Sequence, residues 1–577
     1  MRDRILALNS AWCHAMRDRQ LPARYGSGLD GGLLCPACSR IHGRSADAAY
    51  PFLRMASDTG DASWIDAATA VVEWSECLSC PDGAWVNDQW NLWKGTTVFT
   101  VTALAEALRH YRHLLSDSVA SQWRERIRQA CSWLMSGIRV GVSNINYPLT
   151  CPAALQAASM VCNEPRFAAH AAELMEQAAT FIDDQGLVVG EGRPLYETTK
   201  RGCRPVDVGY NFEESIPGML HYAELAGNHQ IADVARRAAR AHLALMLPDG
   251  GLDNSFGTRN YKWTWWGSRT ADGALPALLA LGATEGIFAT AAERQLGLLE
   301  RCTHQGLLHG GVHHHASGER PCLHHSFCHA KAFTAALDQD LWPEPDAAPL
   351  PMEQGDQHLH LHAPDTHLIS RGPWRATVTG NDVVYNGCGD GHASGGALSL
   401  LYHREHGPVL CASMATFRLI EGHNMQRDRH DEDRCLTPRL CANAHPQFRS
   451  DLDRHAQIAV AHGPETTEVR VTGHLVNASG EHPPGGPQPF AWHIALGAAV
   501  SITATCSDAT LHCPIITAPN ARVEEAGPQQ LAVNGVTVQC SVPIDGGQER
   551  CFNQVPGFAA TPVSMPCADS VSLNIRG

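Results

Sequence analysis

Residues 209–227 read GYNFEESIPGMLHYAELAG, in which Tyr210, Asn211, Glu213, Glu214 and Ser215 crowd the start of an apolar helix. The cluster holds a phenol suited to proton transfer and two carboxylates suited to acid–base work. It also holds what a helix cap needs. A capping box from Asn211 to Glu214 would leave Pro217 inside the helix, where proline removes a hydrogen bond and clashes with the preceding turn. Ser215 as N-cap, with Pro217 in the first turn, avoids that conflict. This choice predicts that Tyr210, Glu213 and Glu214 lie in a loop ahead of the helix.

Two further stretches combine aromatic rings with cations. LDNSFGTRNYKWTWWGSRTADG (252–273) carries Asp253, Arg259, Tyr261, Lys262, Trp265 and Arg269, and NDQWNLWKGTT (87–97) carries Trp90, Trp93 and Lys94. Aromatic faces stack on sugar rings, while Lys and Arg pair with carboxylates or sulfates. Together they predict a cleft for an acidic carbohydrate. GGVHHHASGERPCLHHSFCHAK (310–331) adds six histidines, of which His314 and His325 are expected to line that cleft. No HxxxH pair there comes with a carboxylate at a familiar ligand spacing, so sugar binding or proton transfer is preferred over metal. CPACSRIH (35–42) and CLSC (77–80) supply two CxxC pairs. Four thiolates would suit a structural zinc. Among 21 cysteines, however, buried free thiols are the plainer reading.

The elements that must position these residues differ between the two halves of the chain. Segments 62–76, 98–114, 118–136, 151–162, 166–181, 213–226, 228–245, 273–281, 285–301 and 327–338 carry apolar residues at helical spacing. Asp/Gly turns recur between them, as in CPDGAWVNDQW, DDQGLVVGEG, LPDGGLDNSFG and HQGLLHGGVHHH. Helical hairpins joined this way predict an (α/α) toroid over 1–340 with its loops gathered at one rim. A Pro- and Asp-rich linker (341–365) follows. Residues 366–577 then read as short β-branched runs such as RATVTGNDVVY, TTEVRVTGHLV and LAVNGVTVQCSV, which predict an antiparallel β-sandwich. The fold class is therefore α+β and multidomain.

This order, with an acidic-sugar cleft, resembles the heparinase II/III-like polysaccharide lyases. SNINYPLTCPAALQAAS (143–159) is similar to the helix that supplies an Asn to neutralise the substrate carboxylate, with Asn144 or Asn146 at the matching position. EESIPGMLHYA resembles the family's Glu-x-Ser-Pro-Gly-Tyr-His segment, and GDGHASGGALSLLYHREHGPVL its His-x-His-x-Asp strand. Met219 stands where the resemblance implies the catalytic tyrosine, so Tyr210 or Tyr261 must supply it. His392 matches the first histidine, but Ser394 and Gly396 occupy the second His and the Asp.

Two chemistries follow. In β-elimination, Asn146 or His392 neutralises a uronate carboxylate and a Tyr or His removes the C5 proton. In hydrolysis, as in a β-glucuronidase, a glutamate of the pair Glu213/Glu214 would work with Asp253. A non-catalytic glycan-binding protein is the third reading. Basic residues Lys94, Arg259, Lys262 and Arg269 would hold the acid, while Trp90, Trp93 and Trp265 stack the rings.

The 44 basic and 59 acidic residues give a net charge of −15, which argues against nucleic acid as partner. No run is apolar enough for a membrane span. No cofactor is required, with zinc or calcium entering only as a structural ion. A homodimer is compatible with all of this. The first residues lack a sustained apolar run, so a cytoplasmic enzyme is expected unless a leader was trimmed.

Overall fold

The helix His229–His242 shows how the first half is built: Ile231, Ala235, Ala238 and Ala239 face inward, while Arg237 and Arg240 face water. The computed structural model describes residues 1–23, 28–192, 197–343, 346–385, 387–389, 391–415, 435–545, 551–555 and 558–577. Its helices are α1 (Arg2–Arg17), α2 (Ala49–Thr59), α3 (Ser63–Ser75), α4 (Thr97–Tyr111), α5 (Asp117–Gly137), α6 (Asn146–Cys162) and α7 (Pro165–Ala179). They continue with α8 (Val208–Tyr210), α9 (Ile216–Ala226), α10 (His229–His242), α11 (Leu275–Gly282), α12 (Gly286–Arg301) and α13 (Leu323–Gln339). Neighbours pack as hairpins, and α13 returns to pack on α1 and α2, closing an (α/α) toroid. Helices α1 and α2 fall outside the segments expected from sequence, although Ile5, Leu8, Trp12 and Met16 recur at helical spacing along α1.

The second half is all strand apart from short helical turns, among the described residues. A five-stranded antiparallel meander runs Gln357–Leu361, Thr366–Arg371, Trp374–Thr379, Ala397–His403 and Gly407–Cys411. Its first strand lies inside the segment read above as linker. An eight-stranded antiparallel sheet follows, in the order Gln457–His462, Thr467–His474, Pro489–Leu496, Val500–Thr505, Ser570–Arg576, Val536–Cys540, Gln530–Val533 and Val523–Gly527. Two three-stranded sheets complete the β region.

The five-stranded sheet is buried on both faces. Ile369, Ala376, Val378 and Leu401 share one core with Val469, Phe490 and Ile502 of the large sheet. Leu361, Leu368, Leu400 and Tyr402 join the helical core instead. This explains why Trp374–Thr379 and Ala397–His403 are buried throughout rather than alternately. Toroid and sandwich are thus fused through a sheet that serves both.

Candidate active site

The segment around Glu213 and Glu214 is helical from Val208 onward, not a loop that ends at Ser215. Asp207 is the N-cap, its carboxylate accepting from the backbone N–H of Tyr210 at 3.1 Å. Between α8 and α9, residues Asn211–Ser215 form a single widened π turn, in which the Ile216 N–H reaches the Asn211 carbonyl. Such a turn lets a helix continue past a local conflict and is frequent at functional sites. The conflict here is Pro217, which cannot donate to the Glu213 carbonyl. The Gly273 N–H donates to that carbonyl instead, at 3.1 Å. Gly218 then lets α9 press on α6: a Cβ there would lie 2.9 Å from the Thr150 Cα.

The widened turn sends the two glutamates to different places. Glu213 is fully buried, accepting from the Ser268 N–H at 2.8 Å and meeting His329 Nε2 at 3.2 Å. Glu214 lines a rim cleft of about 360 Å³, together with Tyr210, Arg259, Lys262, Asn144, Trp93, Arg44, His324 and Tyr385. Glu214 is the one carboxylate among the described residues of that lining. Asn146 Nδ2 donates to Glu214 Oε2 at 2.6 Å, and Arg44 lies 3.8 Å from Oε1. Burial pushes the Glu214 carboxyl well above the ordinary range and the nearby Asp272 carboxylate adds to this, while Arg44 and Asn146 pull the other way.

Cations surround Tyr210. Lys262 Nζ donates to its phenol oxygen at 3.3 Å, and the Arg259 guanidinium sits 4.6 Å from the ring centre. The same oxygen donates to the Arg269 carbonyl at 2.7 Å and meets Thr270 Oγ1 at 2.8 Å. Behind the cleft wall, Glu191 pairs with Arg259 and accepts the Asn146 N–H. Burial raises Glu191 to about 7 despite the Arg259 charge. Across the opening, Tyr385 Oη accepts from Tyr261 Oη at 3.1 Å. Neither ring nitrogen of His324 has a hydrogen-bond partner among the described residues. At the outer lip Trp93 is 45% exposed, and its Nε1 donates to Tyr147 Oη at 2.8 Å.

Several residues expected at the cleft lie elsewhere. Asp253 is buried where the toroid meets the sheet, accepting from Ser255 Oγ at 2.7 Å and Thr377 Oγ1 at 2.5 Å. Trp265 is fully buried between Trp263 and Phe558, its Nε1 bonded to Asp249. His392 sits with its ring nitrogens 2.9 and 2.7 Å from the Ala393 and Val383 carbonyls, bracing the loop that carries Tyr385. His325 packs edge-on against Trp266, His314 is buried near Arg269, and Arg269 itself is buried. Lys94 pairs with Asp82 at 2.5 Å, outside the lining. Trp90 is 65% exposed beneath the Arg40 guanidinium. Asn146 and Tyr261 stand one contact behind the cleft surface, bonded to Glu214 and Tyr385.

The sequence reading missed Arg44, Glu191, Tyr385 and the place of His324. Arg44 and Glu191 have ordinary sequence neighbours, and Tyr385 comes from the sheet domain. His324 differs from His325 only in which side of α13 it occupies.

An (α/α) toroid joined to a β-sandwich, with a tyrosine and cations at the rim, is the arrangement that the resemblance to heparinase II/III-like polysaccharide lyases implied. A chondroitin AC lyase from Streptomyces coelicolor A3, in complex with chondroitin sulphate, superposes with a TM-score of 0.56 at 12% identity, over 100% of this chain and 79% of that one. Heparinase III gives 0.54 at 10% identity, over 96% and 78%. The family model for the ulvan lyase N-terminal domain matches residues 9–353, and that for the ulvan lyase C-terminal domain matches 360–576. The broad-specificity ulvan lyase of Formosa agariphila is 34% identical over 579 residues, spanning 96% of this chain and 90% of that protein. The chain belongs to the ulvan lyase family and is a polysaccharide lyase.

Proposed function

We propose that this enzyme cleaves ulvan, or a closely similar acidic polysaccharide, by β-elimination at a uronate bound in the rim cleft. One observation carries the reading: Tyr210 lines the cleft with Lys262 donating to its oxygen and Arg259 against its ring. Lys262, Arg259 and Asn144 would hold the carboxylate. Neutralising that group acidifies the C5 proton. Tyr210, entering as the phenolate that Lys262 steadies, takes the proton as the C5–H bond breaks, the C4–C5 double bond forms, and the C4–O bond to the leaving sugar breaks. The departing oxygen receives a proton from Tyr210 or Tyr385, so no water is consumed. Trp93 offers an aromatic face to a neighbouring ring.

Hydrolysis would need two carboxylates flanking the bond. Glu213 faces away and Asp253 lies at the domain seam, which leaves Glu214 without a partner acid in the described lining. The test is digestion of ulvan, followed by the ultraviolet absorbance of a conjugated unsaturated uronate. Rising absorbance in step with new reducing ends is expected. Reducing ends without that absorbance would overturn the elimination.

A further inference from the structure

We propose that Cys35, Cys38, His42 and Cys322 form a structural zinc site that ties the N-terminal segment to the start of the last toroid helix. The two CxxC pairs do not share a site: Cys77 is exposed, and neither Cys77 nor Cys80 joins a cluster of three ligand-type side chains among the described residues. Cys35, Cys38 and His42 do gather, with one ligand atom from each within 4.8 Å of the others. Cys322, far along the chain, brings a fourth, its Sγ 3.9 Å from that of Cys35. Cys38 Sγ lies 3.4 Å from His42 Nε2.

The Cys35–Cys322 and Cys38–His42 separations match two edges of a tetrahedron around zinc, and binding would draw Cys322 in to complete it. Bonds of about 2.3 Å to sulfur and about 2.0 Å to nitrogen give S···S edges of roughly 3.8 Å and S···N edges of roughly 3.5 Å. A disulfide would instead need sulfurs about 2.05 Å apart. The surroundings fit metal thiolates as well. Leu323 N–H points at Cys35 Sγ at 3.4 Å, a backbone hydrogen bond of the kind that stabilises a ligating sulfur. Between the CxxC cysteines and His42 the chain turns sharply, with Cys35 N–H bonded to the Arg40 carbonyl, Ser39 N–H to the Cys35 carbonyl, and Ser39 at φ 56°. That turn aims both sulfurs and the imidazole the same way.

Three sulfurs and one nitrogen fill all four positions, so the site is closed and has no place for substrate. Soft ligands without a carboxylate select zinc over calcium. The metal would fasten residues 35–42 to Cys322, the N-cap of α13. It would also fix the His42 ring, 4.9 Å from that of His324 in the cleft lining.

Elemental analysis of the full chain purified under reducing conditions tests this without reference to turnover. One zinc per chain is expected, lost in Cys35→Ser and Cys322→Ser with a lowered Tm, and retained in Cys77→Ser. Should the cysteine variants fail to fold, cobalt(II) exchanged into the wild type and into Cys77→Ser supplies the second readout. Intense thiolate-to-cobalt absorption with a tetrahedral band pattern is expected in both. Absence of zinc and of those bands in reduced protein would overturn the site. So would a Cys35–Cys322 disulfide in metal-free protein. Zinc that survives Cys322→Ser but leaves with His367→Ala would place the ion on the sheet, beside His360 and Asp365, and would equally refute the proposal.

Discussion

The rim cleft and the seam between toroid and sheet are built from the same kinds of residue, and they behave differently. In the seam, Asp253 is closed off by two hydroxyls, and Arg375 donates to the Met246 and Ala244 carbonyls. His392, in the loop beyond that sheet, meets two carbonyls. In the cleft, Tyr210, Lys262 and Glu214 border open space. Buried charge and aromatic density therefore do not distinguish a site from a joint. What distinguishes them is whether the side chain borders open space.

Substitutions that delete one atom in each region should break that symmetry. Tyr210→Phe is expected to lower turnover of ulvan by roughly 100- to 10,000-fold, the range for a lost proton-transfer group. Its cost in stability should be only about 1 kcal/mol, since one hydrogen-bonding oxygen is lost. A Tyr210→Phe enzyme of full activity would hand the proton to Tyr385. Lys262→Met keeps the volume of a buried side chain but removes the cation, and should cost roughly 10²–10³-fold in kcat/KM. Equal loss for a neutral sugar polymer would show that Lys262 does not read the acid.

The seam should answer in the opposite sense. Asp253→Ala leaves Thr377 and Ser255 without their acceptor and should destabilise by about 1–3 kcal/mol, read from denaturant midpoints. The kcat of the protein that remains folded should be unchanged. Loss of turnover at full stability would return Asp253 to the catalytic set.

Glu191 lies between the two regions and gives a pH signature. Its folded value of about 7 exceeds the ordinary 4.5 because burial disfavours its charge. The folded state thus binds the proton more tightly, so this group's stabilising contribution is complete below pH 4.5 and is lost as pH rises through about 7. Glu191→Gln should flatten that part of the stability curve, and an unchanged curve would assign the slope elsewhere. The smallest effect is expected for Trp93→Ala: a few-fold rise in KM with kcat held, as suits an exposed stacking ring.

Much of this was legible in the sequence, and the failures share a cause. The change from helical to alternating apolar spacing near residue 340 gave the toroid and the sandwich, because each half buries one continuous face at its own period. Tyr210, Glu214, Arg259, Lys262 and Trp93, which line the cleft, were singled out by unusual polar and aromatic density, and Asn144 by the family resemblance. Trp265 and Asp253 lie in the same run as Lys262, and composition cannot say which members of a run turn inward. Ser215 does stand at the N-cap position of α9 with Pro217 in its first turn. The residues before it are helical and not a loop, which was missed because Pro217 was weighed only against an α-helical ladder. A widened turn plus a hydrogen bond from Gly273 resolves the conflict, and Gly273 is distant in sequence.

The sequence by itself determined the two architectures, the acidic-sugar character of the rim and the presence of a phenol with cations close by. Only the tertiary structure decided that Glu213 and Glu214 part company. It also brought Tyr385 from the sheet domain to the cleft, and set Cys322 rather than Cys77 beside Cys35. Periodicity is a local property that each segment carries alone. The direction of a side chain, and the partner it meets across hundreds of residues, exist only once the ring of helices closes on the sheet.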